Sequence, residues 1–226
     1  MESFVTPQPC QLKTDDLISR LGMQAGEPPA ERGLFRHLPF HRALPVALTL
    51  AAVGAFTVVT LVIGIRPGLS SILSTWIFQF KVAAMTLMSC GALLLVRNAS
   101  IPGLAARPVI AMTPALLFIL VGAVFDRSGF PLLGAHALSV PICVGAIILA
   151  SLPALAVMLA AMRLGVPTRP GWAGGMAGTL AGSLGALAYT LACINDGAGF
   201  VALWYLLAIV IVAAIGATAG RRVLAW

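Results

Sequence analysis

Charge is what this sequence has least of. Of its 226 residues 9% are Asp, Glu, Lys or Arg and 60% are hydrophobic, whereas a soluble globular domain carries about 25% charged residues. With a mean hydropathy of +1.01, that shortage excludes an ordinary soluble domain and implies an integral membrane protein. Other absences narrow the function. No HExxH or GxSxG occurs, and no pair of carboxylates or histidines falls at one membrane depth, which argues against an enzyme. The four Cys show no CxxC and no zinc-finger spacing. No sequence repeat is visible. No cleavable signal peptide is expected, because the first 42 residues are mixed polar sequence and the first apolar run is too long and too late for an h-region.

What is present is a series of long apolar runs separated by short Arg clusters. A helix needs roughly 20 apolar residues to cross the hydrocarbon core, and six segments qualify or nearly do, at about 43–65, 74–96, 108–124, 138–161, 172–191 and 199–219. Turn residues join them, as in "RPG" at 66–68 and "NDGAG" at 195–199. Six spans put both termini on one side. If that side is the cytoplasm, Lys13, Arg20, Arg32, Arg36, Arg42, Arg97, Arg107, Arg163, Arg169, Arg221 and Arg222 lie inside, Arg66 and Arg127 lie outside, and Lys81 lies within a span. The positive-inside rule then places both ends in the cytoplasm. The net charge of +7 is thus a topology signal, and no direct nucleic-acid partner is expected. The expected architecture is all-α: a six-helix transmembrane bundle over 43–226 behind a short cytoplasmic tail, 1–42, in a bacterial inner membrane.

Within the bundle, Gly174, Gly178, Gly182 and Ala186 recur every four residues and form a flat stripe, suited to close helix packing in lipid. It serves either the bundle itself or a homodimer seam. Pro114, Pro141 and Pro153 mark expected kinks. Lys81, in "WIFQFKVAAMT", has no Asp or Glu within any span to pair with. Intramembrane lysines face a bundle interior or a cavity, so Lys81 is a functional candidate beside the plainer expectation that it bonds backbone carbonyls or snorkels outward.

The tail carries "LKTDDLISRL". Thr14 is a good N-cap for a short helix over about 14–21, Asp15 and Asp16 fall where the helix dipole favours anions, and Gly22 is placed to end it. Leu17, Ile18 and Leu21 make a narrow apolar edge. The segment through Glu31 holds Glu2, Asp15, Asp16, Glu27 and Glu31 against Lys13 and Arg20, and a basic stretch, "RGLFRHLPFHR", follows. An apolar edge beside carboxylates suits a basic, grooved partner; the alternative is a disordered terminus.

Together these features resemble a family. "LKTDDLISRLG", a basic stretch and six spans look like the NrsF family of bacterial membrane anti-sigma factors. So do "FQFKVAAMTLMSCGALLLVRNASIPG", with Phe78 and Lys81 in a Phe-x-x-Lys pattern, "PTRPGWAGGMAGTLAGSLGALAYTLAC", "FVALWYLLAI" and the closing "GATAGRRVLAW". The resemblance implies a tail that holds an extracytoplasmic-function sigma factor at the membrane; on the charge pattern of the tail, Asp15 and Asp16 are then the expected electrostatic contacts and Leu17, Ile18 and Leu21 the apolar anchors. It implies release on a metal or oxidative envelope signal, sensed by two cysteines that the family's pattern places on Cys143 and Cys193.

The topology supports that placement: both cysteines fall on or near the outer face. Two thiols there could bind a soft cation such as copper or cadmium, or form a disulfide; no constitutive cofactor is expected. Where the family commonly reads His-Cys-Pro-Glu-Asp, this chain reads "ACINDG", keeping only Cys193 and Asp196. Asp196 and His136, seven residues before Cys143, are further candidate metal ligands. Cys10 and Cys90 read as bystanders. The competing function is a small transporter or channel, for which Lys81, Gln79 and scattered Ser and Thr offer a thin polar path.

Overall fold

The computed structural model describes residues 16–21, 23, 40–100, 108–165 and 167–225. Among these there is helix and turn and no strand. The chain divides into two units, Met1–Gly33 and Leu34–Trp226. In the first, residues 16–21 are helical; the expected cap Thr14, the first acidic position Asp15 and the terminator Gly22 lie outside the described residues.

The second unit opens with α1, Phe40–Val58, which continues through a π-helical turn, Val59–Ile63. It starts before the boundary at 42/43 that hydropathy set, because helical hydrogen bonding does not stop where side chains become polar. Gly64, at φ 89°, ends it in a conformation open to a residue without a Cβ. Then come α2 (Trp76–Ala99), α3 (Pro108–Val124) and α4 (Ser139–Met162). Pro141 is only the third residue of α4, where its missing N–H has no carbonyl to reach, so it starts the helix and does not kink it. α5 (Pro170–Tyr189) likewise begins on proline. α6 runs from Ala198–Phe200 through a second π-helical turn, Val201–Tyr205, into Leu206–Val223.

Four helical stretches are long and apolar enough to cross a bilayer: Arg42–Ile63, Trp76–Ala99, Ser139–Met162 and Ala198–Val223, of 22, 24, 24 and 26 residues. Ile110–Val124 is apolar but shorter. α5 is diluted by glycine, and the packing explains why that is tolerated: it is the central helix, covered by α6, α4, α2 and α1. Its neighbours, more than lipid, are its solvent.

The α5–α6 seam is built from the predicted small-residue stripe. A methyl group added at Gly174 would land 2.7 Å from the Gly220 Cα, and one added at Gly178 would land 2.7 Å from the Ala213 Cα. No methyl group fits between backbones that close, so only glycine serves. Because α6 of the same chain covers this stripe, it is not free to be a homodimer seam.

α1 is attached differently. It buries Ala43, Ala47, Ala51, Ala55 and Val59, one residue per turn, chiefly against α4, while Val46, Leu50, Val53, Leu61 and Val62 are exposed. Of the four membrane-length stretches it is the least buried.

Candidate functional site

The connection between α5 and α6 is short and polar, and three other segments hold it. Alternate carbonyls accept hydrogen bonds along it. Leu191 O accepts from the Arg66 backbone N–H (3.1 Å), Cys193 O from Arg66 Nη1 (3.2 Å), and Asn195 O from Lys81 Nζ (2.7 Å). The Asn195 side chain accepts from the Ala135 backbone N–H at 3.3 Å. Beyond residue 31 the chain has two acids, Asp126 and Asp196, and Asp196 lies here. Its two carboxylate oxygens are divided: Oδ1 takes Lys81 Nζ at 2.8 Å and Oδ2 takes Arg66 Nη1 at 2.7 Å.

Lys81 therefore has a counter-ion, supplied by a loop and not by a span. Its side chain is 1% exposed, that of Asp196 28%, so the lysine stays within the bundle and does not snorkel. The carbonyl partner that the sequence allowed it is present as Asn195 O. Burial would raise the Asp196 carboxyl, but the Lys81 hydrogen bond and charge, followed by those of Arg66, override it and hold the group below the ordinary carboxylate value. Gln79, the other polar residue of that stretch, is exposed on a different face of α2, and the Thr and Ser hydroxyls of the helices mostly bond carbonyls one turn back, as Thr57 does to Val53 O and Ser151 to Ile147 O.

Beside this charged cluster lie the two predicted cysteines. Cys143, one turn into α4, and Cys193, in the α5–α6 connection, are both buried and free. Fifty residues apart in sequence, they are neighbours in space, and the Cys193 thiol donates to Asn195 O at 3.7 Å, the same carbonyl that Lys81 holds. The neighbouring Cys143 thiol, with the Lys81 charge, outweighs burial and holds the Cys193 thiol below its ordinary value. Tyr205, in the π-helical turn of α6, is fully buried, and its hydroxyl makes no well-formed hydrogen bond among the described residues although it sits against the thiol pair. π-Helical turns occur frequently at functional sites, and here one borders the cluster on α6 and another ends α1 shortly before Arg66.

The other candidates fall elsewhere. His136 is exposed and precedes α4, where its backbone pairs with Ser139; the helical register that put it on the face of Cys143 does not extend to it. Among the described residues no group of three or more His, Cys, Asp and Glu gathers to hold a metal ion. Asp196 already pairs with Lys81 and Arg66, whose charges would repel a metal cation placed beside it. Cys90 is exposed on α2, and Cys10 lies outside the described residues. On the tail, Leu17, Ile18 and Leu21 are each more than half exposed, and Asp16 pairs with Arg20 across one helical turn at 3.1 Å. The residues that sequence reasoning missed are Arg66, Asn195 and Tyr205. For Arg66 there was a signal: it is one of few bases set apart from the Arg-rich clusters.

Residues 30–226 match the NrsF family, described as "Negative regulator of sigma F". The chain belongs to the NrsF family. It is 32% identical over 224 residues to a protein of Azospira oryzae named "Probable anti-sigma-F factor NrsF", covering 95% of this chain and 100% of that one. It is also 32% identical over 226 residues to the "Anti-sigma-F factor NrsF" of Caulobacter vibrioides, with the same two coverages. No solved structure matches. Membership in the NrsF family spans both the thiol pair and the ion cluster, since residues 66–196 fall inside the matched region.

Proposed function

We propose that this protein is a membrane-bound anti-sigma factor that sequesters an extracytoplasmic-function sigma factor on its N-terminal tail and releases it when a signal reaches Cys143 and Cys193. The observation that carries the reading is whole-length similarity to proteins named anti-sigma-F factor. In this reading α1 to α6 are six crossings of the bacterial inner membrane, with the tail and the C-terminus in the cytoplasm, in keeping with the Arg distribution. Asp15 and Asp16 face basic sigma-factor surface that would otherwise contact DNA, and Leu17, Ile18 and Leu21 are the apolar anchors. Three exposed apolar side chains on so short a helix have little to bury against without a partner, and such a helix gains most of its order on binding.

The thiol pair suits either of two signals. Two converging sulfurs offer the linear pair of ligands that a soft ion such as copper(I) accepts, whereas a tetrahedral ion would need donors that this cluster does not gather. Alternatively, an oxidant removes two electrons and the two thiols lose two protons as the disulfide forms. Either event must favour one state of the bundle over another. Moving a 1:99 equilibrium to 99:1 takes about 5.5 kcal/mol of differential binding.

The test is a pull-down of the neighbouring sigma factor from bacterial membranes by the wild type and by Asp15→Ala, Asp16→Ala, with membrane abundance measured in parallel. Retention by the wild type and loss by the variant is expected. Capture of no sigma factor by the wild type refutes the reading, and flux of an ion or solute through the protein in liposomes would favour the transporter instead. Cys143→Ser and Cys193→Ser should abolish release while leaving sequestration intact.

A further inference from the structure

The thiols sit at one end of the bundle and the tail joins it at Phe40, so something must connect them. We propose that Arg66 and Asp196 form a latch that fastens the outer end of α1 to the Cys193 connection, and that its opening is how a change at the thiols reaches the tail. This rests on the sensing role given to the two cysteines above.

Three features of the structure converge on Arg66. It lies three residues beyond the π-helical turn that ends α1. Among the described residues its three hydrogen bonds all go to the α5–α6 connection, at Leu191 O, Cys193 O and Asp196 Oδ2. One of those acceptors is the carbonyl of Cys193 itself, so any movement of the Cys193 backbone on pairing or ligation of its sulfur displaces the acceptor directly.

The two cations on Asp196 have unequal footings. Lys81 belongs to α2, the most buried of the membrane-length stretches, and is itself enclosed; it is the fixed post. Arg66 belongs to the end of α1, the least buried. Along its length α1 rests on alanines, and the hydroxyls of Thr49, Thr57 and Thr60 bond carbonyls of their own helix. Among the described residues no side-chain hydrogen bond or ion pair crosses that interface, whereas the latch end is held by directional bonds. A helix of this length is a rod of ~35 Å, so a shift at Arg66 is delivered at Phe40, the residue from which the chain leads back into the tail. The π-helical turn, which holds one residue more per hydrogen-bonded ring, is a place where such a rod can change register.

The experiment expresses the full chain with its sigma factor and a sigma-dependent reporter in bacteria, using diamide and copper sulfate as probes. Thiol pairing is followed in the same membranes by alkylation gel shift. Arg66→Gln should raise the unprobed reporter about tenfold, within the 5–150-fold range of typical site couplings, at unchanged membrane abundance and with diamide still pairing the thiols. Arg66→Lys, which keeps the charge, should restore most of the repression. Arg66→Gln combined with Cys143→Ser and Cys193→Ser should stay derepressed, because the latch lies downstream of the thiols. An Arg66→Gln protein that represses and responds like wild type overturns the latch. If Arg66→Gln does not accumulate, Asp196→Glu decides in its place: a longer carboxylate should raise the unprobed reporter partway, and full repression would overturn the latch. Failure of the sensor reading is separately visible, since the double-serine protein would then still respond to the probes.

Discussion

The ion cluster makes a prediction that runs against exposure. Asp196 is the more accessible partner, yet Asp196→Asn should damage the protein more than Lys81→Met. With the carboxylate gone, Lys81, whose side chain is 1% exposed, is left as an enclosed cation with the Asn195 carbonyl but no counter-charge. Removing one partner of a buried pair costs about 3–5 kcal/mol. Lys81→Met instead leaves Asp196 with Arg66 at 2.7 Å and with partial access to solvent. Its main loss is the hydrogen bond to Asn195 O, of about 1–3 kcal/mol for an unsatisfied buried group, partly offset by the packing of the methionine. For a chain of this size each kcal/mol moves the melting temperature by about 2–4 °C, so the single changes should separate by roughly 5–10 °C. The double variant Lys81→Met, Asp196→Asn should recover much of the loss, because a buried pair replaced as a pair is often nearly neutral. Thermal unfolding of the purified protein in detergent, followed by tryptophan fluorescence, measures all three. Equal losses from the two single changes, or a double variant whose loss is their sum, would refute the assignment of Lys81 and Asp196 as a coupled buried pair.

Other outcomes follow from the packing and the tail. Gly178→Ala should destabilise by about 1–3 kcal/mol through overpacking against the α6 backbone, while Gly175→Ala on the same helix, whose added methyl would meet its nearest neighbour at 3.6 Å, should be neutral or gain from helix propensity; equal melting temperatures would contradict the seam. Leu17→Ala and Ile18→Ala should each weaken sigma-factor binding tenfold or more, about what loss of one buried apolar anchor implies, as read by titration with the tail intact in the full chain. Arg20→Ala, which breaks only an exposed pair one turn apart, should change that affinity by less than about threefold. Because the Asp196 carboxyl is held below its ordinary value of 3.8, the stability it brings is present above that value and lost as pH falls through the lowered one. Wild-type melting temperature should therefore drop more steeply below pH ~4 than that of Asp196→Asn.

Hydropathy located α1 to α6 to within about four residues at each end, because burial in an apolar bundle writes itself into consecutive residues, while the four-residue helix Leu69–Ile72 left no such signal. The end points were less legible. Pro141 was read as a kink because composition cannot tell the first turn of a helix from its middle, and His136 was put on the face of Cys143 by a register that begins only at Ser139. The thiol pair was legible through the family pattern, while its contact, between residues fifty apart, needed the fold. The counter-ion of Lys81 was missed because the search for it was confined to the spans, and a loop that folds back between helices brings a charge that no helical period predicts.

That miss contains a general argument. In a chain with so few charges, a charge away from the Arg clusters is costly wherever it is near lipid, and so it is retained only where the structure gives it a partner. Arg66, Lys81 and Asp196 each stood alone in the sequence, at three places on three segments. Three isolated ions in an otherwise apolar chain are more economically explained by one shared site than by three separate ones, and Asp196 has the two oxygens needed to close it. The thiols share this place, and in the proposed reading the fixed charge beside them helps a buried sulfur take up a soft ion or lose electrons. The scarcity that first marked the chain as a membrane protein thus also marks where its few isolated charges meet.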